Sequence, residues 1–224
     1  MNIRHHLDDS TLMSLAAGSL PEALAAVASS HLAMCAKCRA RLKELELIGG
    51  AILDDVEPEE MSAGAQNLTW ARFGAPKNGP ADGQSPAASS KQDSKPGALP
   101  EPLAQLLGCS LEDVSWSYLA PGVRSHRLVP HGTIKGDLRL LKIAPGRKLP
   151  HHGHGGSELT LVLSGSYHDE IGQFQPGDVA DLDDSVEHTP VADEGAECIC
   201  LVASESQAQF KGLISRTLSR LSGM

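Results

Sequence analysis

The sequence predicts an α+β chain of two units, a small N-terminal helical bundle and a C-terminal β-barrel with a terminal helix, joined by a flexible linker. Three observations predict it. Before residue 75, apolar residues recur at helical spacing, as in Leu24, Val27, Ala28 and His31 at i, i+3, i+4 and i+7. Beyond residue 100 the period falls to two, and short apolar runs are punctuated by Gly146, Gly165, Gly172 and Pro176-Gly177. Between these regions, residues 75–100 hold five Pro, three Gly and four Ser, and no Val, Ile or aromatic residue. Such a segment buries too little apolar surface to offset its ordering entropy. The expected boundaries are 1–75, 76–100 and 101–224, with a linker reach of about 28 Å by the flexible-chain rule.

In the first unit, Asp8, Asp9 and Ser10 offer N-caps for a helix carrying Leu12 and Leu15, and Gly18 can end it. Pro21 suits the first turn of a second helix. A third starts near Cys38 with Cys38, Leu42, Leu45 and Ile52 on one stripe, and Gly49-Gly50 is placed to bend or end it. The acidic residues from Asp54 to Glu60 read as a solvated loop. A short fourth helix is expected over 61–73, carrying Leu68, Trp70 and Phe73, and Leu12, Leu15, Trp70 and Phe73 read as either interface or core. In the second unit, strands are expected at 138–143, 160–163, 167–174, 179–182 and 198–202, and a final helix at 207–221.

The 224 residues suit two small domains. A net charge of −9 argues against nucleic acid, which needs a basic face, and suits a basic protein partner or simply solubility. The start Met-Asn-Ile-Arg-His-His lacks the apolar core of a secretory signal, and no apolar run approaches a membrane span. A cytoplasmic protein is expected. In that compartment five cysteines read as metal ligands or redox thiols.

His31-x3-Cys35-x2-Cys38 carries the chemistry of the first unit. Zn²⁺ prefers thiolate and imidazole, four in a tetrahedron. A Cys-x2-Cys turn brings two sulfurs to one ion, and His31 lies one helical turn before Cys35. His5 or His6 supplies the fourth ligand. A lone His31 would read as a core histidine; this spacing does not. A redox Cys-x2-Cys pair normally follows a strand, and none is expected here. His6, His31, Cys35 and Cys38 resemble the motif of zinc-containing anti-sigma domains over residues 1–75. That resemblance selects His6 over His5.

The second constellation is Gly146-x5-His152-x-His154-x3-Glu158-x6-Gly165. Residues two apart on a strand share a face, so His152 and His154 converge. Glu158 opens the next strand, and His188 can arrive from a later one. Three imidazoles and a carboxylate suit zinc or another divalent transition metal. His151 faces away and reads as surface. The pattern resembles the first cupin motif. The second motif, Gly177-x5-Asp183-x-Ser185-x2-His188, has Asp183 and Ser185 in place of the usual Pro and Gly, and Ala192 where Asn is common. Cys198 and Cys200 share one strand face, either packed in the barrel or acting as a redox pair near the metal.

The two motifs together resemble ChrR-type anti-sigma factors. That resemblance implies a non-enzymatic regulator holding an extracytoplasmic-function sigma factor one-to-one, and zinc in the helical unit. The implied trigger is oxidative, singlet oxygen or a related oxidant, sensed through the cupin unit. The competing reading is a metal-dependent cupin dioxygenase with an accessory helical domain; a third is a metal-storage or metal-sensing protein. Fold alone does not choose among them.

Overall fold

The computed structural model describes residues 2–74, 99–128, 136–205 and 209–210. Its helices are α1 (Asp9–Ala16), α2 (Glu22–Met34), α3 (Ala36–Asp54), α4 (Ala65–Gly74) and α5 (Glu101–Leu107). Its strands are β1 (Ser117–Ala120), β2 (Val123–Arg127), β3 (Asp137–Ile143), β4 (His152–Gly153), β5 (Glu158–Ser164), β6 (Tyr167–His168), β7 (Gln173–Phe174), β8 (Val179–Leu182), β9 (Glu187–His188), β10 (Val191–Ala192), β11 (Cys198–Ser204) and β12 (Gln209–Phe210).

One six-stranded sheet runs β1-β2-β3-β11-β5-β8, and two small sheets run β10-β6-β7 and β12-β4-β9. All the strand pairings are antiparallel. Adjacent residues on the large sheet enter different cores. Val162, Ala180, Leu182, Cys198 and Cys200 pack with Tyr167 and Phe174. Leu159, Leu161, Val179, Leu201 and Ala203 instead join Leu24, Val27, Ala28 and Leu103. The large sheet is therefore covered on both faces, by the small sheet that carries Tyr167 and Phe174 on one and by α2, with α5 packed against it, on the other. This explains the apolar run Leu161-Val162-Leu163 in β5, because a strand buried on both faces loses its alternation.

Helix α2 is the hinge of the packing. Ala23, Leu24, Val27, Ala28, His31 and Leu32 are all buried, and α2 touches α1, α3, α5, β3, β5 and β11. The helical segment and the barrel thus share one core. Each fully buried Leu or Val in it contributes roughly 1.5–3 kcal/mol.

The strand expected at 167–174 is two short strands, β6 and β7, because Asp169 turns the chain. Its Oδ1 accepts from the Ile171 and Gly172 amides. Gly49-Gly50 does not end α3, which runs to Asp54. The expected stripe fails at Ile52, 64% exposed, since no element among the described residues covers that end of the helix. Asp8 occupies the cap position of α1 without a side-chain capping bond. Gln209–Phe210 form β12 against β4 rather than the start of a helix; the rest of the helix expected at 207–221 lies outside the described residues, as do residues 76–98 of the expected linker. Helix α5 was not anticipated, although Pro102 in its first turn and Gly108 at φ +69 are start and stop signals.

Candidate metal centres

The first cluster forms where α2 hands over to α3. Cys35 sits between them in extended conformation and its Sγ accepts from the Cys38 amide at 3.4 Å, capping α3. One turn earlier, His31 Nε2 lies 3.3 Å from Cys38 Sγ. The N-terminal segment brings His6 Nδ1 to 3.4 Å from Cys35 Sγ and 3.6 Å from Cys38 Sγ. One ligand atom from each of the four residues fits within 4.8 Å of the others. His5 is turned elsewhere, its Nε2 donating to the Gln173 carbonyl and its ring lying on Phe174.

The electrostatics favour a soft cation. Burial drives the His31 pKa down to about 4, against the Gly177 carbonyl that its Nδ1–H meets at 2.9 Å. Its imidazole is neutral at pH 7, with the Nε2 lone pair turned toward Cys38 Sγ. Burial, with Lys37 nearby, lowers His6 as well. Burial pushes the Cys38 thiol up to about 11. An ion that replaces its proton relieves that cost. A cleft lined by Leu12, Lys37, Arg41 and Glu44 reaches His6 and Cys38 from solvent.

The second cluster lies in the barrel. His152 and His188 face each other across the β4–β9 pair, Nε2 to Nε2 at 3.2 Å. His154 follows β4, with ring centroids 5.2 Å from His152 and 5.1 Å from His188. Glu158 opens β5, its Oε2 3.2 Å from His154 Nδ1. All four are buried, and their ligand atoms also lie within 4.8 Å of one another. Burial lowers the His152 pKa. Burial works to raise Glu158, but the neighbouring imidazoles of His154, His152 and His188 outweigh it and hold the carboxylate ionised.

The fit to a cation rests on orphaned and oriented nitrogens. Neither ring nitrogen of buried His154 has a hydrogen-bond partner, since Glu158 lies close but out of line. His152 Nδ1–H donates to the Pro150 carbonyl, and His188 Nδ1–H to Asp169 Oδ2, both at 2.9 Å. Both anchors leave Nε2 facing inward, the arrangement that orients metal-ligating histidines.

Asp183 and Ser185 build their own turn, Asp183 Oδ1 accepting from the Ser185 amide and hydroxyl. The loop before His188 therefore does without the usual Pro and Gly. His151 is on the surface, with Thr189 and Glu187 as partners. Cys198 and Cys200 are buried free thiols with Sγ atoms 3.6 Å apart. The Cys198 contact and burial hold Cys200 well above its ordinary pKa, so it stays protonated. The sequence marks neither Asp169 nor Asp178 as a site residue, and it marks Gly177 only as part of the second cupin motif, not as the partner of His31. Asp169 sits in a recognisable turn, but nothing in the sequence marks its reach to His188.

A buried His3Glu centre in an antiparallel barrel, with a His2Cys2 helical module docked on it, defines a two-domain cupin protein with two candidate metal centres. Residues 104–208 match the family model described as the ChrR cupin-like domain. The anti-sigma-E factor ChrR of Cereibacter sphaeroides is 39% identical over 216 residues, covering 96% of each chain. The crystal structure of Rhodobacter sphaeroides SigE in complex with the anti-sigma ChrR matches with a TM-score of 0.71 and 38% identity, covering 91% of this chain and 99% of that one. The chain belongs to the ChrR family of anti-sigma factors.

Proposed function

We propose that this protein sequesters an extracytoplasmic-function sigma factor one-to-one through its helical unit. It releases that factor on an oxidative signal, singlet oxygen or a related oxidant, sensed through the cupin centre. The observation that carries this reading is an uncovered apolar surface. Leu47, Ile52 and Leu53 on α3 and Leu68, Trp70 and Phe73 on α4 are each more than 60% exposed. Six large apolar side chains left uncovered on two helices are the kind of exposure that protein interaction sites show. The relative in the matched crystal structure is itself in complex with a sigma factor.

Under this reading His6, His31, Cys35 and Cys38 hold zinc, which ties the N-terminal segment to the α2–α3 junction and fixes the angle at which α3 projects. His152, His154, Glu158 and His188 hold zinc or another divalent transition metal, which supplies an oxidant-responsive or structural centre. The acidic chain steers a basic partner toward it. No helix among the described residues is long and apolar enough to cross a membrane, and we assign the protein to the cytoplasm with no direct contact to nucleic acid. Purification from the native cell, with metal analysis and identification of the co-purifying protein, tests the reading. A sigma factor at one-to-one with metal in both centres is expected; a chain that purifies alone and does not inhibit transcription would sink it.

A further inference from the structure

The N-terminal cluster is not completed by the N-terminal unit. Its surroundings come from the barrel segment 169–178. The Gly177 carbonyl accepts from His31 Nδ1 at 2.9 Å and so orients the ring. Asp178 is 1% exposed. Its Oδ1 accepts from the amides of Arg4 at 2.6 Å and His5 at 3.1 Å, and its Oδ2 from the Gln175 amide. The Val179 amide donates to the His5 carbonyl at 3.4 Å. These bonds hold the backbone that immediately precedes His6. Both histidines of the first cluster are thus positioned by one loop of the other unit.

The opposite end of that loop serves the second cluster. Asp169, with a fully buried side chain, holds His188 through Oδ2 and the Ile171 and Gly172 amides through Oδ1. Gly172 lies under His5, where an added Cβ would stand 3.2 Å from His5 Cε1. The His5 ring is pinned to Gln173 and Phe174 between the two ends. Ten residues therefore have one end on a cupin ligand and the other on His31 and on the backbone that leads into His6.

We infer that Asp169–Asp178 is a shared outer shell, in which Asp178 and Gly177 position the N-terminal metal ligands and Asp169 ties that positioning to the cupin centre. The inference deepens the proposed function and rests on both clusters holding metal. Contiguity alone does not establish coupling, but the hydrogen bonds give it a definite form. When His188 leaves its place, Asp169 loses the partner of Oδ2. The Gly172 turn and the His5 platform then lose a restraint, and His6 is the next residue in the chain.

The test is the rate at which zinc leaves the N-terminal site of the zinc-loaded full chain to a coloured chelator, with no sigma factor present. Total zinc is measured alongside, so that the cupin equivalent reports folding. Outer-shell changes typically cost 10–100-fold in metal affinity, and Asp178→Ala should accelerate release by at least about tenfold while cupin zinc stays bound. Asp178→Asn, which keeps an acceptor oxygen, should fall between that variant and the native chain. It stands in should the alanine variant not fold. Asp169→Asn should also accelerate N-terminal release, because an amide cannot accept on both sides and must give up either His188 or the turn amides. In the double variant the two effects should be less than multiplicative. Native release rates in both Asp178 variants would overturn the positioning role, and a native rate in Asp169→Asn would overturn the tie between the centres. A sigma-binding assay on the same proteins is read separately, so a failed partner assignment leaves the zinc result standing.

Discussion

Replacing Trp70 and Phe73 together with Ala tests the docking surface without touching either metal cluster. An aromatic side chain presents about 150–250 Å². With Trp70 64% and Phe73 79% exposed, roughly 150 Å² of each remains to be covered. At about 25 cal/mol per Å², the ceiling is near 4 kcal/mol per residue. Ordering and desolvation return part of that on association, and buried aromatic anchors typically contribute about 2–4 kcal/mol. The pair should therefore cost about 4 kcal/mol or more, a loss of roughly a thousandfold in affinity. Folding stability should barely move, because exposed substitutions stay within about 0.5 kcal/mol and these two rings lie against each other, at 6.2 Å between centroids. Titration calorimetry against the cognate sigma factor, with melting curves of the free proteins, gives both numbers. Affinity within threefold of native at an unchanged Tm would remove α4 from the interface and refute the reasoning.

Further outcomes follow from the same geometry. Cys35→Ser with Cys38→Ser should remove one zinc equivalent and abolish sigma binding; full inhibition by that variant in a transcription assay would take zinc out of the mechanism. A chain ending near residue 75 should still bind sigma but lose the oxidant response. It should also melt below the full protein, because Leu24 and Val27 lose their cover on β5 and β11; a fragment unable to bind sigma would contradict the division of labour. In the metal-free chain, His31 takes a proton near pH 6.5 when unfolded but only near pH 4 when folded. The unfolded state therefore binds the extra proton across that window, and stability present above pH 6.5 is lost as pH falls toward 4, by about 3 kcal/mol. Urea midpoints at the two ends of the window, native against His31→Gln, measure it, and equal acid losses in the two proteins would exclude His31 as the source.

Much of this molecule was legible because metal ligands keep local spacing. His31, Cys35 and Cys38 are set by one helical turn and one cap, and His152, His154 and Glu158 by a strand end and its return. Period-two alternation located β3, β8 and β11, but it was blurred on β5, where Leu159 and Leu161 turn to α2 and Val162 turns inward. What stayed hidden is long-range. The contact of Asp178 with Arg4 and His5 spans more than 170 residues, and no local pattern encodes it. Asp169 reads as a turn residue, which it is; its reach to His188 depends on how β6 and β9 come together. The apolar residues past Leu45 read as core stripe because the period continues, although the elements that would cover them are missing from the described fold.

The His31–Gly177 bond also sets an order of events during synthesis. Its partners are 146 residues apart, and at about 5–20 residues per second a ribosome needs roughly 7–30 s to travel between them. Throughout that interval the growing chain carries His31, Cys35 and Cys38 without the barrel loop that orients them. The apolar side of α2 meanwhile waits for β5 and β11. The inhibitor therefore matures from its far end back to its beginning, and its first residues are among the last to find their places.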